Sequence, residues 1–508
     1  MHSDFSAMEV LCGGVGGVVQ LNKMSYPIIK ILVTLTAVIL VVVLYQTQKP
    51  LPDGVSIEGN EYKVPVQSVH FLADRTYVDS TGQRHSEQEI FSGVLAMINE
   101  AEKYILLDMF LYNDFQGKPP ETTRALAGEL TQALIAKKQA NPGMTITVVS
   151  DPLNTVYGGA LSSQFESLRQ HGINVIITDL TSLRDSNPGY SAIWRTVFQW
   201  FGNTRAAGFM PHPFSAGGHF VTIRSWLSLL NFKANHRKLI VADEPQPNGT
   251  TKLVTLVTSA NPHDGSSAHG NVAIKVADKL WQDAIVSEQA VGRFSGGDVP
   301  GFLDTVIDGD GAVTVQLLTE GVIERKLVEL IDRTQDKDTI DVAMFYLSER
   351  SIVTSLIRAA NRGVQIRLVL DPNRDAFGHT KNGVPNRPVA HELVTKSEGK
   401  IQIRWCDTHG EQCHSKLVLI HMGTGDVMMA GSANLTRRNI GDYNLETNIL
   451  VAADEEIPAM VSARSYMEEI WHNPNGKTFT ANYEAYADSG WFKQLLYRIQ
   501  EATGLSSF

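Results

Sequence analysis

The sequence predicts an α/β protein built from two fused repeats, each a mixed β-sheet flanked by helices, with one apolar helix near the N-terminus. Two segments share one order of elements: an apolar run of strand length, a helical stretch, a second apolar run and an Asp-Pro pair. Each is followed further along by His-x-Lys and Ser-Ala-Asn. Strands that alternate with helices predict a sheet covered by helices, and two copies predict two sheets related by a pseudo-twofold axis.

The composition is that of an ordinary globular protein. Of 508 residues, 43% are hydrophobic and 19% are charged, which excludes a disordered chain. The net charge of −10 argues against a protein that coats nucleic acid, although it leaves room for a local basic groove. Three cysteines are too few for a disulfide scaffold.

Residues 28–45 form an apolar run with a single charge, Lys30. At 1.5 Å per residue this run spans about 27 Å, enough to cross a hydrocarbon core. A buried core helix and a cleaved signal peptide are the alternatives, but the run is long for a signal peptide and no cleavage site follows it. We therefore predict a retained single-pass anchor. Lys23 and Lys30 before the run, against Lys49 after it, weakly place the remainder outside the cytoplasm.

The strand-like runs and the helical stretches set the predicted boundaries. The runs are residues 104–110 and 145–150 in the first repeat and 339–345 and 364–370 in the second. The predicted organisation is an N-terminal tail (1–27), a transmembrane helix (28–45), a linker (46–64), a first repeat (65–300, with an aromatic insertion at 183–233), a second repeat (301–475) and a C-terminal amphipathic segment (476–508).

The two His-x-Lys motifs carry the candidate chemistry. Side chains two residues apart on a strand lie on one face, so each motif places an imidazole beside an ammonium. The ammonium attracts a phosphate and keeps the imidazole neutral and nucleophilic. If both motifs meet at one seam, one histidine attacks phosphorus while the other protonates the leaving group. The motif residues are His236, Lys238, Ser259 and Asn261 in the first repeat and His414, Lys416, Ser432 and Asn434 in the second.

These motifs resemble the signature of the phospholipase D superfamily, which is His-x-Lys, four residues, Asp, then Gly-Ser-x-Asn. The first copy retains the aspartate as Asp243 but has Thr258 in place of the glycine. The second copy retains Gly431, but His421 stands where the aspartate is expected. The resemblance covers residues 65–475. Its Asn-His-Arg-Lys first motif, its anchor and its length are most similar to bacterial membrane-anchored cardiolipin synthases and related phospholipases.

The resemblance implies a transfer without metal or cofactor through a phosphohistidine, which is released to water or to an alcohol. It implies His236 as the nucleophile and His414 as general acid and then base, with Asp243 as part of the motif. The phosphate oxygens would be bound by Lys238, Lys416, Ser259, Asn261, Ser432 and Asn434. The family also orients a catalytic histidine with a downstream carboxylate, so we expect Glu446 to orient His236 across the seam. The alternative is that Glu446 is a solvated strand residue. The matching residues 271–273 contain no carboxylate, although Asp264 lies nearby.

The aromatic insertion indicates the class of substrate. Its tryptophans and phenylalanines alternate with Arg195, Arg205 and Arg224, which suits a lip that touches anionic lipid headgroups. A helical cap packed on its own core is the alternative, and a nuclease would use such rings to stack on bases. With the anchor, the insertion favours phospholipid, for example phosphatidylglycerol, and a bilayer as partners, with no nucleic acid. The expected function is cardiolipin synthase-like phosphatidyl transfer at a bacterial inner membrane, with the catalytic part in the periplasm. The alternatives are a hydrolytic phospholipase D that releases phosphatidic acid and, less favoured, an endonuclease.

Two further features leave alternatives open. Cys406 and Cys413 bracket a short loop just before His414, and they form a disulfide, remain free thiols or, with the weakest support, bind zinc. We expect no metal at the site. The stretch 491–499 is amphipathic, and it lies on a membrane or closes the core. The sequence does not indicate an oligomeric state.

Overall fold

A computed structural model describes residues 26–202, 208–246, 249–303, 309–376 and 379–506. The predicted tail up to residue 25, Arg205 and the turn residues 247–248 lie outside the described residues. The described helices are α1 (Tyr26–Gln48), α2 (Ile90–Glu100), α3 (Leu126–Ala140), α4 (Ser163–Gln170), α5 (Pro188–Thr196), α6 (Ile223–Leu229), α7 (Trp281–Phe294), α8 (Gly321–Arg333), α9 (Arg350–Asn361), α10 (Asn386–Lys396), α11 (Arg437–Ile440), α12 (Pro458–His472) and α13 (Trp491–Thr503).

The described strands form two large sheets and one small hairpin. They are β1 (Tyr62–Val64), β2 (Val69–Val78), β3 (Arg84–Glu87), β4 (Tyr104–Met109), β5 (Thr145–Ser150), β6 (Asn174–Ile177), β7 (Lys238–Pro245), β8 (Thr251–Thr258), β9 (Asn271–Val276), β10 (Val313–Thr319), β11 (Thr339–Met344), β12 (Gln365–Leu370), β13 (Asp375–Ala376), β14 (His379–Thr380), β15 (Ile401–Cys406), β16 (Lys416–Met422), β17 (Gly425–Gly431), β18 (Thr447–Ala453) and β19 (Thr480–Asn482).

The two large sheets share one strand order, which confirms the predicted fold class. The first sheet runs β3-β2-β9-β8-β7-β4-β5-β6, and the second runs β1-β10-β18-β17-β16-β11-β12-β15-β19. Seven neighbouring strands of each sheet correspond in position. They are β2-β9-β8-β7-β4-β5-β6 in the first sheet and β10-β18-β17-β16-β11-β12-β15 in the second. In the first sheet, β7 is antiparallel to β4, and β4 is parallel to β5. In the second sheet, β16 is antiparallel to β11, and β11 is parallel to β12 in the same way.

The core lies in three layers because alternate residues of each strand face opposite sides. In β4, Tyr104 and Leu106 belong to a large apolar cluster that contains residues of both sheets, whereas Ile105 and Leu107 pack with α2 and α3. The second sheet has its own cluster on its helical side. Strands β8 and β9 face β16, β17 and β18 across the middle. The two halves therefore share one central core, and the seam between the sheets is part of the folded body.

Helix α1 is the one helix in the described part of the chain that is long and apolar enough to cross a membrane. Its outer side is exposed, and its half-buried side lies against α5. Hydrogen bonds fix its end: the Asp185 backbone N–H donates to Gln46 O at 3.0 Å, and Arg184 Nε donates to Lys49 O at 2.8 Å. The helix therefore ends directly on the aromatic insertion.

The segments that flank the two repeats add to the second sheet. Strand β1, within the residues expected to be a linker, pairs with β10, and β19 pairs with β15 at the opposite edge. Helix α13 buries Tyr497 in the apolar cluster of the second repeat. The Trp491 and Phe492 rings at its start are exposed. One side of this amphipathic helix therefore closes the core while its first turn stays at the surface.

Candidate active site

Each His-x-Lys motif stands at the start of the equivalent strand of its repeat. Lys238 opens β7 opposite Met109, and Lys416 opens β16 opposite Met344. The backbone just before each strand is bound to the other repeat. The His236 N–H donates to Leu445 O at 2.9 Å, and the His414 N–H donates to Gly270 O at 2.8 Å. These two backbone hydrogen bonds between the repeats bring both motifs to the seam.

The histidine side chains are also held by the opposite repeat. His236 Nδ1 lies 2.8 Å from Glu446 Oε1, and His414 Nδ1 lies 3.1 Å from Asn271 Oδ1. Asn271 occupies the position that corresponds to Glu446, because the residue after each one accepts the N–H of the serine in Ser-Ala-Asn. The two histidines thus have equivalent geometry but different partners, one a carboxylate and the other an amide. The sequence analysis missed Asn271 because it sought a carboxylate at that position.

An aromatic ring lies under each motif. The Phe110 ring centroid is 4.7 Å from that of His236 and 4.9 Å from Lys238 Nζ. The Phe345 ring centroid is 4.9 Å from that of His414 and 5.3 Å from Lys416 Nζ. A ring face attracts a cation and excludes water from the imidazole beside it. Sequence analysis placed both phenylalanines at the ends of equivalent strand runs without assigning them this role.

The seam concentrates basic groups in a buried environment. Burial and the neighbouring lysines lower the pKa of both His236 and His414 well below the usual range, so both imidazoles are neutral at pH 7. Burial lowers the pKa of Lys238 to about 7 and that of Lys416 well below its usual range. Burial raises the pKa of Glu446 to about 8, opposed by Lys238 and by hydrogen bonds from Ser432 and Asn439. Because the cationic forms of four neighbouring bases are destabilised, a bound anion would be stabilised by their protonation.

The side chains of the two Ser-Ala-Asn segments have two different kinds of hydrogen-bond partner. Ser432 Oγ donates to Glu446 and accepts from the Thr447 N–H. In the first repeat, Ser259 Oγ lies 3.1 Å from Asn271 Oδ1 and accepts from the Val272 N–H. We expected both hydroxyls to bind phosphate, but their hydrogen bonds place them behind the histidines, where they hold the histidine partners. Asn434 Oδ1 is buried with no hydrogen-bond partner in the described part of the chain. Asn261 Oδ1 accepts the Leu111 N–H at 3.2 Å.

Asp243, which we expected within the catalytic motif, lies away from the histidines. It is five residues along β7 from Lys238, about 16 Å at the rise of a strand. Its carboxylate accepts the backbone N–H groups of Glu102, Lys103 and Tyr104, and so holds the start of β4. Its role in the structure is therefore support of the sheet. At the equivalent position of the second repeat, His421 Nδ1 contacts Asp426 Oδ1 on the half-exposed edge.

A buried ionic network supports the first motif. Arg237 is completely buried, and its guanidinium donates to Glu288 and Glu320 at 2.8 Å each. Glu320 Oε1 also accepts the Glu446 backbone N–H at 2.9 Å. The Glu320 carboxylate therefore binds both Arg237, which follows His236, and Glu446, whose side chain contacts His236. Glu320 has φ 45° and ψ −127°, a conformation that non-glycine residues rarely adopt. Sequence analysis missed Glu320 because nothing local distinguishes it.

The Asp-Pro pairs prove to hold the motifs. Asp151 Oδ2 accepts the N–H of Asn235 at 2.7 Å, and Asp371 Oδ2 accepts the N–H of Cys413 at 2.9 Å. In both repeats the aspartate therefore binds the residue directly before the histidine. Burial raises the pKa of Asp151 to about 7 and that of Asp371 to about 6.

Cys406 and Cys413 form a disulfide, with their Cα atoms 6.1 Å apart. It ties the end of β15 to the residue before His414. Because each sulfur is bonded to the other, neither is a thiolate ligand for zinc. In the described part of the chain, no cluster of three or more His, Cys, Asp or Glu side chains is arranged to hold a metal ion.

The chain is similar in sequence to one protein family and in fold to solved structures. Residues 327–471 match the family described as cardiolipin synthase, phospholipase D-like domain. The crystal structure of phosphatidylserine synthase from Haemophilus influenzae Rd KW20 aligns over 88% of this chain and 95% of its own, with 11% identity and a TM-score of 0.54. Polyphosphate kinase from Porphyromonas gingivalis aligns over 87% of this chain and 56% of its own, with 13% identity and a TM-score of 0.42. No curated sequence matches the chain.

The fold and the paired motifs define a two-repeat enzyme with one site at the seam between its sheets. Its second repeat matches the phospholipase D-like domain described for cardiolipin synthase, and both motifs resemble the signature of that superfamily.

Proposed function

We propose that this protein is a cardiolipin synthase-like phosphatidyltransferase that acts through a phosphohistidine on His236. The observation that carries the proposal is the hydrogen bond of His236 to Glu446 at a seam that also contains His414 and both motif lysines. This arrangement supplies a neutral nucleophile, a second imidazole for proton transfer and cations for a phosphodiester.

In the first half-reaction, His236 Nε2 attacks phosphorus. A P–N bond forms, the P–O bond to the leaving alcohol breaks, and the imidazolium form of His414 gives its Nε2 proton to the leaving oxygen. Lys238, Lys416 and the amide groups of Asn261 and Asn434 would neutralise charge on the non-bridging oxygens as it develops. The anionic substrate itself favours the protonated form of His414, since its charge offsets the neighbouring lysines.

The different partners of the two histidines favour His236 as the nucleophile. Attack turns His236 into a phospho-imidazolium, whose positive charge lowers the pKa of Glu446 from about 8 and is stabilised by the carboxylate that results. The general acid must instead release its proton, and the neutral amide of Asn271 stabilises the imidazolium of His414 less. Asn271 Nδ2 donates to His269 O at 3.0 Å, which fixes the amide with its oxygen toward His414.

In the second half-reaction, neutral His414 takes the proton from an entering hydroxyl. The hydroxyl oxygen attacks phosphorus, the P–N bond breaks, and His236 returns to its neutral form. With the hydroxyl of a second phosphatidylglycerol the product is cardiolipin, and with water it is phosphatidic acid. The same base serves both, so the acceptor decides between transferase and hydrolase.

A phospholipid substrate is supported by three features. The matched family is described by its cardiolipin synthase activity, α1 is long and apolar enough to cross a membrane, and the insertion that contacts α1 carries exposed aromatic rings. The disulfide and the lysines around α1 favour a catalytic part on the oxidising, periplasmic side of a bacterial inner membrane.

The test uses the full chain reconstituted in vesicles of phosphatidylglycerol. We expect cardiolipin and free glycerol as products, and a phosphatidyl adduct on the protein when the reaction is stopped with acid-free denaturant. His236→Ala should abolish the adduct, whereas His414→Ala should slow its formation and its release. His472→Ala, which removes an exposed histidine on α12, is the matched control.

Each other outcome has a definite meaning. Phosphatidic acid without cardiolipin would replace the transferase by a hydrolytic phospholipase D. An adduct that survives in His236→Ala but not in His414→Ala would reverse the two histidine roles. Degradation of DNA with untouched lipid would overturn the lipid assignment.

A further inference from the structure

A cavity of about 310 Å³ lies within the aromatic insertion, separate from the seam. Its walls come from the segment after β6, from α5 and its continuation, and from α6. The lining includes Trp194, Trp200, Arg195, Arg224 and Lys233. Its volume is at the lower end of the range of about 300–1,000 Å³ for small-ligand pockets, which fits a headgroup with the first part of its chains.

The position of α1 places this cavity at the membrane surface. The half-buried side of α1 begins at Ile39 and lies against α5, which forms part of the cavity wall. About 13 Å of helix axis lie between Ile39 and Gln48 at 1.5 Å per residue. Helix α5 therefore runs beside the last turns of the apolar helix, near the end that leaves the bilayer.

The insertion that forms the cavity also carries exposed aromatic rings. Trp200, which lines the cavity, is 71% exposed, and Phe201 beside it is 69% exposed. Phe198, Phe209 and Phe220 are also exposed. Large apolar rings in contact with water are unfavourable, whereas tryptophan and its neighbours are stabilised at a membrane interface.

The cavity lining carries an excess of positive charge. Two of its side chains are guanidinium groups, Arg195 and Arg224, and one is acidic, Asp179. Lys233 adds a partial charge, because burial lowers its pKa to about 7. Asp185 neutralises part of this charge from behind through its contacts with Arg195 and Lys233. Arg224 donates to the backbone carbonyls of Phe198, Gln199 and Phe201 and lies 5.3 Å from the Trp194 ring centroid. Carbonyl groups hold the guanidinium without cancelling its charge.

We propose that this cavity binds one anionic phospholipid, with its phosphate beside Arg224 and Arg195 and its acyl chains leaving past Trp200 into the bilayer. The site is distinct from the seam. Its inner wall is Thr178, whose hydroxyl accepts from Asn235 Nδ2 at 2.9 Å, one residue before His236. The bound lipid thus packs near the backbone segment that carries Asn235 and His236. The proposal rests on α1 as the membrane anchor and not on any catalytic step.

The test measures lipid retention in full-chain His236→Ala protein, which removes turnover from the readout. The protein is reconstituted in nanodiscs of mixed phosphatidylglycerol and phosphatidylcholine, extracted in mild detergent and weighed by native mass spectrometry. We expect one retained phosphatidylglycerol per chain, in preference to phosphatidylcholine. Added inorganic phosphate should not displace it, because the apolar rim contributes to binding.

Two variants address the cavity itself. Ser228→Trp fills it without removing a charge, and Arg224→Gln removes the cation without filling it. Arg224→Gln should lower retention about tenfold, the loss expected for one charge-assisted contact, and Ser228→Trp should lower it at least as far because the indole occupies the cavity. The matched controls are Ser163→Trp on exposed α4 and Arg333→Gln on α8, both of which should retain lipid as the parent does.

Several results would overturn the proposal. Equal retention in Ser228→Trp and in the parent would show that the lipid lies elsewhere, for example at the seam. Equal retention of both lipids would remove the role of the cations, and displacement by inorganic phosphate would identify a site for soluble anions. None of these outcomes bears on phosphohistidine formation, which is measured in the separate reaction described above.

Discussion

Glu446 and His236 lie on different repeats, 210 positions apart in the sequence, yet their side chains are 2.8 Å apart. Glu446 also accepts from Ser432 and Asn439, so its carboxylate is held by three donors. On the other side of the seam, Asn271 binds His414 with one neutral oxygen. The pseudo-twofold arrangement is therefore symmetric in position but differs in chemistry, since an ionisable carboxyl group faces His236 and an amide faces His414.

Replacement of Glu446 by glutamine should slow formation of the phosphohistidine by about 10²-fold, the lower end of the range for acid–base groups. The amide preserves shape but no longer stabilises the phospho-imidazolium. The measurement is the rate of adduct formation in a single turnover. The control is Glu456→Gln, which replaces an exposed glutamate in the loop before α12. Adduct formation at the parental rate would show that Glu446 does not act on His236.

Removal of the Glu320 side chain should lower the free energy of unfolding by about 3–5 kcal/mol. Glu320→Ala leaves Arg237 buried with half of its carboxylate partners, and breaking a buried ion pair has this magnitude. Denaturant unfolding in detergent measures the effect. Glu329→Ala, which removes an exposed partner of Arg333, should change stability by less than about 1 kcal/mol. A loss of similar size in both variants would contradict the importance of the buried network.

Binding of sulfate at the seam should take up protons at pH 8. Burial lowers the pKa of Lys238 to about 7, so the amine is mostly neutral at pH 8, and a bound anion raises its pKa. Sulfate affinity should therefore fall as pH rises above 7. Titration calorimetry in buffers with different ionisation enthalpies counts the protons.

Lys238→Met should reduce the uptake by close to one proton, whereas Lys400→Met, on an exposed turn, should leave it unchanged. Proton release on sulfate binding, or affinity that rises with pH, would mean that the seam lysine is already protonated when empty.

The disulfide should contribute about 2–3 kcal/mol to stability, as expected for closure of a short loop. Cys406→Ser should lower the free energy of unfolding by this amount, and reductant should have no additional effect on the variant. Cys12→Ser is the matched control. Alkylation of the unreduced protein followed by mass spectrometry should leave Cys406 and Cys413 unlabelled, and labelling of either residue would contradict the bond.

Sequence repetition was sufficient to predict the fold and the meeting of the motifs. Two equivalent runs of strand, helix, strand and Asp-Pro predict two equivalent sheets, and the two His-x-Lys motifs predict one site between them. These features are encoded in local pattern and spacing, which a single sequence displays.

The remaining parts of the site depend on long-range packing. Glu320 lies 83 positions from Arg237 and reaches it only because α8 begins beside β18. Ser259 and Ser432 sit in the right segments, but the direction of their hydroxyls is decided by Asn271 and Glu446 behind them. Asp243 shows the same limit, since its three backbone partners come from a strand more than a hundred residues earlier.

The contact between α1 and the insertion has a kinetic consequence. Because Gln46, Lys49 and Arg184 join the end of the helix to the insertion, the globular body has little freedom to swing away from the bilayer. If α1 spans a bilayer and the substrate is a lipid, as proposed, that lipid arrives by lateral diffusion in one leaflet and its encounter with the protein is a two-dimensional process. The relevant concentration is the mole fraction of that lipid at the surface, so dilution with a neutral lipid should slow encounter even when the total amount in the suspension is unchanged.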